Sequence, residues 1–265
     1  MSNNSASLEL ARMTWPQIRH LQARCDMLLL PLGATEQHGP ALPVATDSII
    51  AEAVCREASR RTGVPFGPVL SVTSSGAHTA KWPGTISTSP LTFIQTLIEC
   101  ARWVEATGWK KLLFVNAHAG NNAPMRVAVD QIRLELLGKI QVGFVETFTL
   151  SPEISERFAA DAIDLHANKA ECDLIRHLAP DCVDPDALAA ADDPDRTRGL
   201  VFSYPVSQTS LNGTTGSPSL GCAKAGLELF EMMCATLTRI IESARTEKPP
   251  LPPADWGRPP ENFYF

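Results

Sequence analysis

Two stretches of the chain place metal-ligand side chains directly after runs that read as parallel strands. LLLPLGATEQHGPALPVATD, residues 28 to 47, leaves an apolar run for a turn-rich loop holding Glu36, His38 and Asp47. KKLLFVN delivers His118 in the same way, at the start of NAHAGNN. The E-x-H spacing lets one loop offer ligands to two metals or to two faces of one. Two imidazoles and two carboxylates suit zinc, manganese or iron, and a carboxylate can bridge two such ions. Taken singly, a loop Glu is usually a solvated charge and a strand-end His a satisfied structural residue. Together they follow two strand signals, with Gly33, Gly39 and Gly120 allowing close backbone approach. Spacing alone leaves the metal site and the structural reading both open.

The elements that must position these residues read as α/β. Between residues 27 and 145 short apolar runs alternate with longer segments of helical periodicity, the pattern of a parallel sheet flanked by helices. Strands are expected at Met27 to Leu32, Pro68 to Thr73, Lys111 to Asn116 and Ile140 to Glu146. Ser89-Pro90 supplies an N-cap and a first-turn proline for a helix with Leu97, Cys100, Ala101 and Val104 at helical spacing, closed by Gly108. Asn122 to Gly138 repeats that scheme, and a last helix runs from about Ala223 to Ala244. In open sheets of this kind, loops at the carboxyl ends of strands form the binding crevice. Residues 180 to 221 lack apolar periodicity, which predicts a lid, a binding loop or a subunit contact.

The bulk composition excludes several classes. The 265 residues suffice for one domain, expected over 1–248 and followed by a proline-rich tail, 249–265. A formal charge of -6 offers no cationic field for nucleic acid or anionic lipid. No apolar run reaches the roughly 20 residues that cross a bilayer, and the opening residues lack a secretory pattern, so a cytoplasmic protein is expected. Seven scattered cysteines without a C-x-x-C pair read mostly as buried small hydrophobes rather than disulfides or thiolate ligands. His20 and His177 lie away from any motif.

The stretch G-A-T-E-Q-H-G-P-A-L-P-V-A-T-D resembles the G-s-x-E-Q-H-G-P-H-L-P-x-x-T-D signature of the creatininase (creatinine amidohydrolase) family. K-W-P-G-T-I-S from Lys81 resembles the family's F-P-G-T-I-S, V-N-A-H-A-G-N from Val115 its V-N-G-H-G-G-N, and H-A-N-K-A-E from His166 its H-A-G-x-x-E. Residues 211 to 226 are similar to its closing pattern, more loosely. The resemblance runs in order from about residue 27 to 230.

It implies a single-domain, three-layer α/β/α fold with a mostly parallel central sheet. It also implies one or two divalent ions, zinc foremost with manganese or iron as alternatives, and a homo-oligomer, hexamer or trimer. The implied activity is cleavage of a C–N amide bond in a small cyclic or linear substrate by metal-activated water. Carried across, Glu36 and His118 bind one metal, His38 the other, Asp47 bridges them, and His166 protonates the leaving nitrogen. His78, just before the P-G-T-I-S loop, would orient substrate. Members acting on creatinine read N-G-H-Y-E-N at the second loop, with a ligand Glu two residues after the His; Gly120 stands there in this chain. Glu171 is the expected replacement, either as ligand or partner of the second metal or, alternatively, as part of a capping box with Asn168. Two further readings stay open: an N-formyl amide hydrolase or short-peptide peptidase, and a non-catalytic metal-binding scaffold.

Overall fold

Three six-residue strands, β1 (Met27–Leu32), β2 (Lys111–Asn116) and β3 (Gln141–Glu146), pair in parallel in the order β1-β2-β3, in a computed structural model that describes residues 8–78 and 81–257. β1 is buried along its whole length, so its side chains are apolar on both faces instead of alternating with polar ones. Met27 and Leu29 enter one apolar cluster, and Leu28, Leu30 and Leu32 the other. These two clusters are the interfaces of the three layers.

Nine α-helices flank the sheet among the described residues: α1 (Trp15–Gln22), α2 (Thr46–Thr62), α3 (Pro90–Ala106), α4 (Asn122–Glu135), α5 (Pro152–Phe158), α6 (Lys169–Leu178), α7 (Pro185–Leu188), α8 (Val206–Thr209) and α9 (Ala223–Thr246). The first layer holds α2, α6 and α9, which join Ile50, Val54, Leu174, Met233 and Leu237 in one core. The opposite layer holds α3 and α4, with Phe93, Leu97, Met125 and Ile132. Ser89 caps α3 by accepting from the Thr92 N–H at 3.2 Å, with Pro90 opening the first turn. α4 ends at Glu135, before Gly138, which takes a left-handed φ of 77° in the turn beyond.

Two expectations are corrected. Pro68 to Thr73 is not a regular strand. The chain there lies beside β1 with parallel bridges only at Phe66 and Leu70. Hydrogen bonds from Gly67 N to Leu29 O and from Leu70 N to Pro31 O flank Pro68, which has no N–H to donate. The loop expected to hold Asp47 is also shorter than read, because Asp47 lies in the first turn of α2. That helix begins against the end of β1. A Cβ on Gly33 would come within 2.5 Å of the Ser48 Cα, and the Ser48 hydroxyl donates to the Ala34 carbonyl at 2.8 Å.

The segment from 180 to 221 is mostly irregular but tied down. Asp193 accepts from the Arg196 guanidinium, the Ser210 hydroxyl and the Leu211 N–H. Thr215 pairs with His166. All seven cysteines are free; Cys25, Cys55, Cys172 and Cys234 are buried, while Cys182 and Cys222 are exposed. No helix of the described residues is long and apolar enough to cross a membrane. Of the proline-rich tail, residues 258–265 lie outside the described residues, as do residues 1–7 of the N-terminal stretch.

Candidate metal centre

At the carboxyl ends of β1 and β2 four chain segments meet. The loop after β1 carries Glu36 and His38, the first turn of α2 carries Asp47, and the loop after β2 carries His118. The start of α6, with the strand-like residue before it, carries Glu171 and His166. All six side chains are buried. Donor atoms of Glu36, Asp47 and His118 lie within 4.8 Å of one another, as do those of His38, Asp47 and Glu171. Asp47 belongs to both groups. His118 Nδ1 is 3.2 Å from Asp47 Oδ2, and His38 Nε2 is 3.4 Å from Asp47 Oδ1, so the two imidazoles address different oxygens of one carboxylate. Glu171 Oε2 is 3.9 Å from His38 Nε2.

Glu36 Oε2, Asp47 Oδ2 and Glu171 Oε2 are buried and have no hydrogen-bond donor. Orphaned anionic oxygens are costly in a protein interior, and three in one place form a donor set that a divalent cation satisfies. The two imidazoles are oriented for it. The Glu36 carbonyl, which can only accept, lies 2.9 Å from His38 Nδ1, so Nδ1 carries the proton and Nε2 turns its lone pair inward. The Ser74 carbonyl, 3.0 Å from His118 Nε2, likewise leaves His118 Nδ1 free to bind.

The charge balance tells the same story. Burial opposes ionisation of Glu36, but His118, with His166 and His78, overcomes it and holds the carboxyl at about 2. Asp47 is pushed below the usual carboxylate range by His38 and His118 against burial. Burial also disfavours both imidazoliums, yet Asp47 and Glu171 raise His38 to about 10, and Glu36 and Asp47 raise His118 to about 9. Glu171 is raised by its burial and by the neighbouring carboxylates. A proton on each imidazole is what the carboxylates hold in place of a metal.

The two readings of Glu171 turn out to concern different atoms. Its backbone N–H is capped by Asn168 Oδ1 at 3.2 Å, while its carboxylate points into the centre and makes no return bond to Asn168. Gly120 leaves no room for an acid there, since an added Cβ would collide with the His118 ring and come within 2.6 Å of the Ser74 carbonyl. His166 Nδ1 lies 3.1 Å and His78 Nε2 3.4 Å from Glu36 Oε1, so both expected accessory histidines join the cluster. His78 is lowered to about 3, chiefly by burial and by the adjacent His166. Its side chain is 13% exposed, the most open of the group.

Sequence reasoning missed three participants: Gln37, which touches His166 and His78, the Ser74 and Ser75 pair behind His118, and Gly213. Gln37 was visible as the middle residue of E-Q-H. The Ser74 and Gly213 contributions are backbone carbonyls, which leave no side-chain signal.

A family model for creatinine amidohydrolase matches residues 11–241. A mycofactocin precursor peptide peptidase of Mycolicibacterium smegmatis is 30% identical over 224 residues, covering 81% of this chain and 84% of the relative. Creatinine amidohydrolase of Pseudomonas putida is 27% identical over 266 residues, 93% of this chain and 99% of the relative. Among solved structures, a creatininase point mutant superposes with a TM-score of 0.80 at 25% identity, over 91% of this chain and all of the other. A Zn-Zn type creatininase mutant (TM-score 0.79, 24% identity, 92% of this chain and 100% of the other) and a creatininase described as the Mn form (0.78, 23%, 91% and 100%) share the fold.

Proposed function

Because the chain belongs to the creatininase family, with residues 11–241 matching, we propose that it is a metal-dependent hydrolase of amide C–N bonds built on Glu36, His38, Asp47, His118 and Glu171. The observation that carries this reading is the convergence of three donor-less buried carboxylate oxygens on two inward-facing imidazole nitrogens, His38 Nε2 and His118 Nδ1, whose opposite nitrogens face carbonyls. On this reading Glu36 and His118 hold one ion, His38 and Glu171 the other, and Asp47 bridges. A divalent cation bound there supplies a water acidified from a pKa of 15.7 to about 7 and polarises a carbonyl oxygen.

The residues do the rest. Glu36 is held ionised by its histidine neighbours, so it can share one oxygen with a cation while the other accepts from His166. His166, outside both Asp47-centred groups, stands where it can donate to a departing nitrogen. His78, nearest the opening, is placed to orient the substrate. Zinc is the leading metal; manganese and iron(II) accept the same donors. We further assign the chain to the cytoplasm as a homo-oligomer, hexamer or trimer.

The substrate we favour is a small cyclic or linear amide. Gly120 argues against creatinine itself. A short peptide is the second reading, favoured by the resemblance to peptidase-named relatives across most of the chain. The test is a panel of lactams, hydantoins, formamides and short peptides, assayed at known metal loading with and without chelator. Chelator-sensitive cleavage is expected in one class. Full metal loading with no cleavage of any class would favour the scaffold reading instead.

A further inference from the structure

Glu36, His78 and His166 also satisfy the distances of a metal-binding triad, and Gln37 touches both of its histidines. Its side chain is buried between the metal loop and the segment around Gly213. The Gly39 N–H donates to Gln37 Oε1 at 3.0 Å, and the Gly213 carbonyl lies 3.2 Å from Gln37 Nε2. An N–H can only donate and a carbonyl can only accept, so these two backbone groups set which end of the amide is which. The approach is close enough that a Cβ on Gly213 would collide with Gln37 Oε1, and Gly213 takes a φ of 89°.

The amide nitrogen is thereby left facing His166 Nε2 at 2.9 Å and His78 Nδ1 at 3.2 Å. It donates and cannot accept. His166 Nε2 must then present its lone pair, which puts the ring proton on Nδ1, the nitrogen 3.1 Å from Glu36 Oε1. In that tautomer the nitrogen facing the centre has no lone pair for a cation. His38 and His118 have the reverse arrangement, with a carbonyl behind the ring and a lone pair toward Asp47. Two amide protons also serve three acceptors. His166 Nε2 is the nearest of the three, with the Gly213 carbonyl and His78 Nδ1 equally distant at 3.2 Å.

We propose that Gln37 is a positioning residue for the hydrolytic reaction: its backbone-oriented amide selects the Nδ1–H tautomer of His166, making that histidine a hydrogen-bond donor beside the metals and not a ligand. This rests on the hydrolase reading above for its consequence but not for its geometry.

The test is ¹⁵N NMR of histidine-labelled protein, with the His166 signals assigned by their loss in His166→Gln, run with and without zinc. The wild type is expected to carry the His166 proton on Nδ1 in both states. In Gln37→Glu the carboxylate accepts from Nε2–H, moving the proton and freeing the Nδ1 lone pair. The cobalt(II) form of that variant should then show an altered visible spectrum from an added nitrogen ligand, and turnover should fall by about 10² or more with a smaller change in KM. Gln37→Met, close in size but unable to donate, should yield a mixture of tautomers and decides the matter if Gln37→Glu does not fold. A wild-type His166 protonated on Nε2, or an unshifted tautomer in either folded variant, overturns the proposal. A wild type that binds no metal would instead sink the hydrolase reading, and the zinc-free spectrum would still decide this one.

Discussion

Asp47 is the residue both halves of the centre share. Each of its oxygens faces a different imidazole, and among the described residues no other side-chain carboxylate pairs with both His38 and His118. Asp47→Ala is therefore expected to lose both metals and all activity; two ions per chain by elemental analysis would remove the bridge assignment. Glu171→Gln should behave differently. The cap on α6 uses the backbone N–H of residue 171, so helix stability should hold while the second site loses its carboxylate. About one metal per chain and little change in melting temperature are expected, and two retained metals with normal turnover would return Glu171 to a structural role. Acidity gives a third prediction. His38 and His118 have pKa values raised to about 10 and 9, so metal must displace protons from both rings. Zinc affinity should climb with pH from about 6 toward 9, and calorimetry in buffers of different ionisation heat should record release of about two protons near pH 7. In chelated protein the sign follows the raised values: stabilisation by these imidazoliums is full below about 6.5 and is lost as pH rises through about 9 to 10. Affinity that stays flat between pH 6 and 8 would mean these rings are not ligands.

At the scale of elements, α2 sets where Asp47 sits, because its first turn rests on the end of β1. Gly33→Ala would push on the Ser48 backbone and shift that turn. A cost of about 1–3 kcal/mol is expected for such overpacking, read in denaturant melts, together with weakened metal retention. A stability loss with metal retention unchanged would separate α2 docking from the centre. This helix is also where the amino-acid pattern was least legible. β1 and β2 are plain apolar runs, and the Ser89-Pro90 and Gly108 punctuation frames α3. The buried face of α2 carries Ile50, Val54 and Ala58 at helical spacing, but Thr46, Asp47, Ser48, Ser59 and Thr62 put polar residues at both of its ends and dilute the stripe. Pro68 to Thr73 misled in the opposite direction, since its apolar content suited a strand but Pro68 interrupts the ladder. In the site, residues inside quotable motifs were readable, whereas the Ser74 and Gly213 carbonyls act through atoms that every residue possesses.

Across the whole molecule, the centre joins segments distant along the chain, from Glu36 on the loop after β1 to Glu171 on α6. A cation bound by all of them acts as a cross-link on the native state alone, so it stabilises by mass action. Chelation should lower the melting temperature by several degrees, and zinc or manganese should restore it. No shift on chelation of protein known to carry metal would show that the ion does not bind the native state in preference to the unfolded chain. Gly120 carries a consequence for how this chain can change. On the proposed assignment, Glu171 supplies the carboxylate that an acid at position 120 would otherwise bring to the centre. A Gly120→Glu substitution made first would strike the His118 ring and the Ser74 carbonyl before its carboxylate could coordinate anything. The route to the creatinine-type loop therefore passes through a variant worse than either end. Laboratory selection for that activity should succeed only in libraries that vary residues 74, 75 and 120 together, and a gain from position 120 alone would show the loop to be more pliant than its packing implies.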